Sequence, residues 1–387
     1  MKKTINVGLV GYKFMGKAHS KAHTEVPVFM DPPVGIVKAV LCGRDENWVK
    51  SAAAKLGWQD TETDWRRLVA RDDIDVIEIT SPSDTHRQIA IAAAEHGKHV
   101  YCEKPLALNL ADAREMLYAV RKAGVHHQIG FNYRFAPALM LAKQLIDEGR
   151  IGRIFHVRGV FLQDWGIDPA SPFVWRFDKS VCGSGSLGDL GAHVIDAARW
   201  LAGEIKSVSG ISKTFVTERP EAARMEGLSG SASADAPMHR VTVDDGTCFV
   251  CEFANGALGT FEATRFAAGH KNDLRIEING DKGSIEYEFE RMNELNFFSR
   301  EDEDGVQGWR KIQVTEGSHP YIKYWWPAGH IIGFPETFCH ELYEFVRHIH
   351  EGTPCEPNFE DGVKCAQIMD AVDLSIDRRA WVDVDTL

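Results

Sequence analysis

An α/β fold, with an N-terminal doubly wound parallel sheet joined to a C-terminal α+β domain built on a large, mostly antiparallel sheet, is what three features of this sequence predict. The first third alternates short apolar stretches with helical ones, the βαβα rhythm of a parallel sheet. Beyond Pro137 the segments lengthen, alternate apolar with polar residues and are joined by glycine-rich turns, as in an antiparallel sheet with one buried face. A chain of 387 residues also exceeds what one hydrophobic core ordinarily supports. The change of texture divides it into domains 1–130 and 131–387.

Each element has a local reason. Thr4–Val10 is a short apolar run and reads as the first strand, with Phe14–His23 as the helix behind it. Val37–Cys42 and the alanine-rich Trp48–Leu56 repeat the pair. Asp75–Thr80, bounded by Ser81-Pro82, is a third strand, and Thr85–His96 a helix stopped by Gly97. His99–Cys102 is a fourth strand, Asn109–Ala123 a helix stopped by Gly124, and Val125–Phe131 a further strand. In the second domain Ala138–Asp147 is helical and Gly152–Phe161 opens the sheet. Thr247–Phe253, Ala257–Thr264, Leu274–Asn279 and Gly283–Phe289 continue it with period-two alternation. Glu336–Glu351 and Gly362–Arg378 close the chain as helices, and the small, polar, aperiodic stretch Glu218–Pro237 reads as a surface loop.

Charge narrows the function classes. Asp plus Glu number 56 against 44 Lys plus Arg, a net charge of -12, which argues against a nucleic-acid partner. No stretch approaches the ~20 apolar residues of a membrane span, and the run after Met1-Lys2-Lys3 is broken by Asn6 and Gly8 with no A-x-A-like cleavage site. A cytoplasmic protein with no membrane partner is the expectation. The 8 cysteines are scattered, unlike a secreted disulfide framework. Cys248 and Cys251 form the one close pair, but in a strand residues three apart point to opposite faces, so buried thiols rather than a metal site are expected.

Three motifs carry chemistry. Gly8-Leu-Val-Gly11-Tyr-Lys-Phe-Met-Gly16 lies between the first strand and first helix, where a dinucleotide pyrophosphate needs a tight turn and free helix amides. Gly11 and Gly16 fill the first and third positions of G-x-G-x-x-G, while Lys13 replaces the second. The second strand ends Cys42-Gly-Arg44-Asp45; Arg44 suits the 2′-phosphate of NADP and Asp45 the ribose of NAD, which leaves the choice open. Glu103-Lys104-Pro105 follows the fourth strand at the sheet edge where doubly wound folds bind ligands. Asp189 and His193, at i, i+4 behind the glycine-rich Cys182–Ser186, fall on one helical face near a helix N-terminus, which disfavours imidazolium. The plain alternatives are a surface tripeptide and a structural Asp/His pair.

Taken together the glycine turn, Ser81-Pro-Ser-Asp-Thr-His86, Glu103-Lys-Pro105 and Asp189-x-x-x-His193, in that order over nearly the whole chain, resemble the glucose–fructose oxidoreductase, inositol dehydrogenase and rhizopine catabolism (Gfo/Idh/MocA) family. The resemblance implies a Rossmann domain binding NAD or NADP and a C-terminal domain for substrate and oligomerisation as a dimer or tetramer, without a metal. It implies Lys104, Asp189 and His193 as catalytic residues, with His193 the general base on a secondary hydroxyl, Lys104 stabilising the developing alkoxide and Asp189 bonding substrate or orienting His193. Gly8, Gly11, Phe14, Met15, Gly16, Arg44, Asp45, Ser81, Pro82, His86, Glu103 and Lys104 would meet the cofactor. Lys13 is the departure from the pattern. His86, Asn132, Tyr133 and Arg134 would line the same cleft.

The stretch 161–178 leads to the Asp189 helix with Gln163, Asp164, Arg176 and Asp178 beside Trp165 and Trp175. Sugars need that mixture, because each hydroxyl exchanges water for a protein partner while the C–H face packs on an aromatic ring. The segment resembles the levoglucosan dehydrogenase branch of the family, which implies oxidation of a ring secondary alcohol of a pyranose or anhydro-sugar, with Tyr133, Gln163, Trp165 and Arg176 as substrate contacts beside Lys104, Asp189 and His193. The rivals are an inositol or polyol dehydrogenase and a non-catalytic cofactor-binding sensor. A hydrolase has no support, since no G-x-S-x-G elbow is present.

Overall fold

The computed structural model describes residues 3–222, 224–226, 229–233 and 235–387. The chain forms two compact units, 1–135 with 333–366, and 136–332 with 367–387. The sequence division at 130/131 keeps the C-terminal stretch together, whereas the contacts group Gly333–Ala366 with the N-terminal unit.

The first unit runs β1 Thr4–Val10, α1 Phe14–Phe29, β2 Gly35–Cys42, α2 Glu46–Leu56, β3 Asp60–Glu62, α3 Trp65–Val69, β4 Val76–Ile79, α4 His86–Glu95, β5 His99–Glu103, α5 Leu110–Ala123 and β6 His127–Gly130. Its six strands are ordered β3-β2-β1-β4-β5-β6 and pair in parallel. The order reverses between β1 and β4, so the carboxyl ends of β1, β4 and β5 bring together the glycine turn, Ser81-Pro82 and Glu103-Lys104 at the sheet's switch point. The helices start and stop where side chains permit. Asp45, Asp64 and Asn109 cap α2, α3 and α5 by accepting backbone amides, and Gly57 and Gly124 end α2 and α5 in the left-handed region. Leu9, Val40, Ile77 and Val100 form the buried middle of the sheet, with Val26, Ala90 and Ala113 among the buried helix residues.

The second unit opens with α6 Pro137–Asp147, β7 Ile154–Leu162, α7 Lys179–Cys182, α8 Ala192–Ala202 and β8 Ile205–Lys213. Four short strands follow, β9 Glu218–Pro220, β10 Arg224–Glu226, β11 Ser229–Ser231 and β12 Met238–Arg240. Then come β13 Gly246–Phe253, β14 Leu258–Thr264, β15 Asp273–Gly280, β16 Gly283–Glu288, β17 Glu294–Ser299 and β18 Arg310–Gln313. Helix α9, Phe334–Glu351, groups with the first unit, and α10, Phe359–Arg378, precedes β19, Val382–Asp383. The nine-stranded sheet is ordered β18-β17-β16-β15-β7-β14-β13-β8-β19. It is antiparallel except where β14 runs parallel to β7. Helix α8 packs onto its inner face at Gly159, where a Cβ would lie 2.4 Å from Val194 Cγ1. The cysteine pair behaves as alternation requires, with Cys251 buried and Cys248 on the exposed face.

The surface-loop reading of Glu218–Pro237 is corrected. β9 pairs with β12, and β10 with β11. Arg219 is fully buried, with its guanidinium donating to the carbonyls of Gly166, Asp168 and Ser171. β9 is thus anchored through one buried cation rather than a hydrophobic period, which leaves no pattern to read. Ala223, Gly227, Leu228 and Ala234 lie outside the described residues. Among the described residues no helix is long and apolar enough to cross a membrane.

Candidate active site

The glycine turn is built for close approach. Gly11 has φ +108°, and a Cβ there would lie 2.9 Å from the Thr80 backbone; a Cβ on Gly16 would lie 2.2 Å from the Gly11 carbonyl oxygen. Lys13 stands at the N-cap of α1 with φ −81°, outside the left-handed region that favours glycine, and it is exposed. The departure from the glycine pattern therefore leaves the turn intact. No side chain caps α1 and its first turn holds no acid, so the amides at Phe14, Met15 and Gly16 are presented to an incoming anion. A turn whose space any Cβ would fill, opening onto an uncapped 16-residue helix, fits a dinucleotide pyrophosphate.

Around that turn the other first-unit candidates take their places. Gly8 supports β1 against α3, where a Cβ would strike Leu68. Thr80 Oγ1 donates to the carbonyls of Val10 and Gly11, tying the loop of Ser81 and Pro82 to the turn. At the end of β2 the Tyr12 ring lies on Gly43, where a Cβ would fall 2.1 Å from it. Asp45 accepts the Trp48 amide at 2.9 Å as N-cap of α2, so one of its oxygens already has a structural partner, while Arg44 beside it is exposed. Burial pushes the Tyr12 phenol above its ordinary value; Asp45 adds to this and Arg44 opposes it. Glu103 is buried at the end of β5, and Lys104 is half-buried. His86 is buried with both ring nitrogens on backbone carbonyls, those of Ser81 and Pro105. Tyr133 packs edge-on to Phe334, which stacks on Phe14 of the glycine turn. Asn132 and Arg134 are buried and bonded to Thr337 and Asp361, so both have structural work in the first unit.

In the second unit the candidates converge on a residue that the sequence did not flag. Arg265, fully buried at the end of β14, donates to Asp189 Oδ2 at 3.0 Å, to the Gly185 carbonyl at 3.2 Å and to the Arg176 carbonyl at 3.2 Å. Its guanidinium lies over the Trp165 ring, 4.9 Å from the centroid. Trp165 Nε1 donates to Gln163 Oε1 at 2.8 Å. Arg176 lies over Trp175 with its Nε 3.9 Å from Asp189 Oδ2. Burial draws the Arg176 guanidinium below its ordinary value, against the pull of Asp189. Gln163, Trp165, Arg176 and Asp189 are thus one cluster, and Arg265 holds it. Asp164 pairs instead with exposed Lys271, and Asp178 caps α7.

The helix begins directly after the glycine-rich 182–186 stretch, but its first turn is not α-helical. Residues Leu187–Gly191 form a π-helical turn that runs directly into α8, so Asp189 lies on the wider turn and His193 on the α-helix, without a free helix N-terminus beneath the imidazole. His193 is buried, with its ring 6.0 Å from that of Phe161. Asp244 closes the turn from below. Its carboxylate accepts the Gly185 amide at 2.8 Å, the Leu187 amide at 2.9 Å, Thr247 Oγ1 at 2.8 Å and the Ser186 hydroxyl. Asp244→Ala would orphan these donors and is expected to cost about 2 kcal/mol or more. Urea unfolding measures this, and a loss under about 0.5 kcal/mol would show that the cap does not carry the turn.

Comparison with known proteins matches the chain to two family models. Residues 5–131 match the family model described as "Oxidoreductase family, NAD-binding Rossmann fold", and residues 139–286 match "GFO/IDH/MocA C-terminal domain". Levoglucosan dehydrogenase of Pseudarthrobacter phenanthrenivorans is 42% identical over 385 residues, 99% of this chain and 98% of that protein. Myo-inositol 2-dehydrogenase of Thermotoga maritima is 26% identical over 381 residues, 98% of this chain and 99% of that protein. A levoglucosan dehydrogenase structure in complex with NADH and levoglucosan superposes with a TM-score of 0.93 at 41% identity, covering 99% of this chain and 100% of that one. An oxidoreductase domain protein from Kribbella flavida gives 0.94 at 46%, covering 99% of both.

Proposed function

Since this chain belongs to the Gfo/Idh/MocA oxidoreductase family, we propose that it is a cytoplasmic NAD-dependent dehydrogenase that oxidises a ring secondary alcohol of a pyranose or anhydro-sugar to a ketone. The observation that carries the substrate class is the Arg265 cluster, in which Asp189, Gln163 and Arg176 offer polar atoms beside Trp165. Full-length similarity to levoglucosan dehydrogenase supports a levoglucosan-like sugar. The more distant similarity to a myo-inositol dehydrogenase keeps inositol as the rival.

The first unit binds the dinucleotide through the glycine turn and the uncapped start of α1, and the second unit supplies the sugar-binding groups. Lys104, Asp189 and His193 are the catalytic residues. Bound nicotinamide supplies the acceptor for the hydride leaving the carbinol carbon. The Nδ1 atom of His193 is buried, so Nε2 takes the proton of the reacting hydroxyl. The Lys104 ammonium stabilises negative charge as it develops on that oxygen. Asp189, held by Arg265, is oriented as an acceptor for a sugar hydroxyl. The exposed face of the nine-stranded sheet carries Ile211, Val250 and Leu258, an apolar area suited to a homo-oligomer.

Initial rates on levoglucosan, glucose, xylose and myo-inositol, each with NAD and NADP and followed by absorbance of the reduced cofactor, test the reading. Preference for inositol would overturn the sugar assignment and keep the dehydrogenase; cofactor binding without turnover on any substrate would make the protein a sensor. The exposed guanidinium at the end of β2 gives a second expectation. Arg44→Ala should weaken NADP more than NAD, because only the 2′-phosphate needs that charge. Equal Kd changes in a fluorescence titration with both cofactors would remove Arg44 from cofactor choice.

A further inference from the structure

The residues on either side of Lys104 are each held by a buried histidine. Glu103 Oε1 lies 2.8 Å from His19 Nε2, and the Pro105 carbonyl lies 3.0 Å from His86 Nδ1. His19 is on α1, the helix that opens from the glycine turn, and its Nδ1 lies 2.9 Å from Glu78 Oε2 of β4. Ionised carboxylates only accept hydrogen bonds, so a ring placed between two of them donates from both nitrogens. Glu78 in turn takes His23 Nε2, one helical turn further along α1, at 2.9 Å. The arrangement is enclosed. His19 packs against the rings of Tyr101 and Phe338, and a Cβ at Gly130 would come within 3.0 Å of the Glu103 carboxyl. The second histidine, His86, stands beside the same turn, with Nε2 2.9 Å from the Ser81 carbonyl and neighbouring Thr80 tied to Gly11. Burial favours its neutral form, so the ring has one N–H to donate, and it is the Nδ1–H tautomer that holds the Pro105 carbonyl.

We propose that His19 and His86 are positioning residues that fix Lys104 relative to the cofactor-binding turn, one through the Glu103 side chain and the other through the Pro105 backbone. The inference rests on the reading of Lys104 as a catalytic residue. Neither histidine needs to touch substrate. Together they hold both flanks of the half-buried Lys104, and a displacement of ~1 Å at a reacting group can cost ~100-fold in rate. Burying two carboxylates and two imidazoles is costly unless every charge is matched, and sheet cohesion alone would be served by apolar side chains at these positions.

The test separates positioning from stability. His19→Gln leaves one amide where the ring served two carboxylates, and is expected to lower kcat about 10-fold or more while the sugar KM and the Kd for NADH stay within about threefold. In a Lys104→Ala background the same change should cost no more than about twofold, because the residue it positions is already gone. Hydrogen exchange of the cofactor-free protein should rise in the peptide 102–107 in both His19→Gln and His86→Gln. Val26→Ala, a cavity in the same helix, should lower thermal stability without either effect. Equal losses in the two backgrounds, or unchanged exchange at 102–107 in both histidine variants, would overturn the proposal. If the unaltered protein oxidises no sugar, the functional reading fails and the exchange measurement alone decides the clamp. If His19→Gln does not fold, the kinetic and exchange comparisons on His86→Gln decide it.

Discussion

His193→Ala is expected to oxidise sugar at least about 100-fold more slowly than the unaltered protein, the scale on which a positioned proton acceptor contributes. Lys104→Ala is expected to fall as far or further, since a cation aimed at a developing oxyanion is felt more strongly in a water-poor site than in solution. The His193 change should not disturb the first unit's grip on the dinucleotide, which rests on the glycine turn and the start of α1. In His193→Ala the Kd for NADH, read from tryptophan quenching, should therefore stay within about threefold while kcat collapses; that split assigns the loss to the chemical step. Full turnover in either variant would remove that residue from the catalytic group. Asp189→Asn belongs beside them as a milder change. It keeps the shape but removes the charge facing Arg265 and Arg176, so it should affect sugar KM as well as kcat.

How far the sequence reached depended on whether a feature is local. β1 and α5 are read almost to the residue because a short apolar run, Asn109 and Gly124 all act within a few positions. Helix α1 runs on to Phe29, beyond the expected end at His23, because buried Val26 continues its packed face and Pro27 falls in its last turn. β3 and the edge strands β18 and β19 are too short for period-two alternation to show. The same division holds in the site. Lys104, Asp189 and His193 sit in contiguous motifs. Arg265 reaches Asp189 only because β14 pairs in parallel with β7, placing Thr264 opposite Leu162 and the Arg265 side chain at the edge where the segment of Gln163 and Trp165 begins. His19, Glu78 and Glu103 are distant along the chain and meet through the pairing of β4 with β5 and the packing of α1. The one local hint was a cation ending an alternating strand, Thr264-Arg265-Phe266, a pattern that ordinary surface residues share.

The buried histidine–glutamate network should make the first unit's stability depend on pH in both directions. Burial alone would lower the His19 imidazole, but its hydrogen bonds to Glu103 and Glu78 outweigh this and raise it from 6.5 to about 10. Burial alone would raise Glu78, but the charge of His23 and the hydrogen bonds from His19 and His23 bring it down from 4.5 to about 2. The groups facing His19 are Glu78 on β4, Glu103 and Tyr101 on β5 and His23 on its own helix, with Glu341 of α9 bonded to the Tyr101 hydroxyl. A carboxyl depressed in the folded state contributes stability that is present above its unfolded value and lost as pH falls through the folded one, so the acid limb runs from 4.5 down to about 2. An imidazole raised in the folded state contributes stability that is present below its unfolded value and lost as pH rises, so the alkaline limb runs from 6.5 up to about 10. Both limbs describe the same hydrogen bonds and do not add; the acid limb alone corresponds to about 3 kcal/mol. Urea unfolding, followed through the first unit's Trp58, whose indole donates to Ser20 of α1, should show the network's contribution greatest near pH ~5–6 and falling on both sides. Glu78→Gln removes the carboxyl whose protonation drives the acid limb, so this variant should be less stable at pH ~6 yet lose about 2 kcal/mol less on acidification. An acid limb as steep in Glu78→Gln as in the unaltered protein would show that other carboxylates, not this buried pair, set the acid stability.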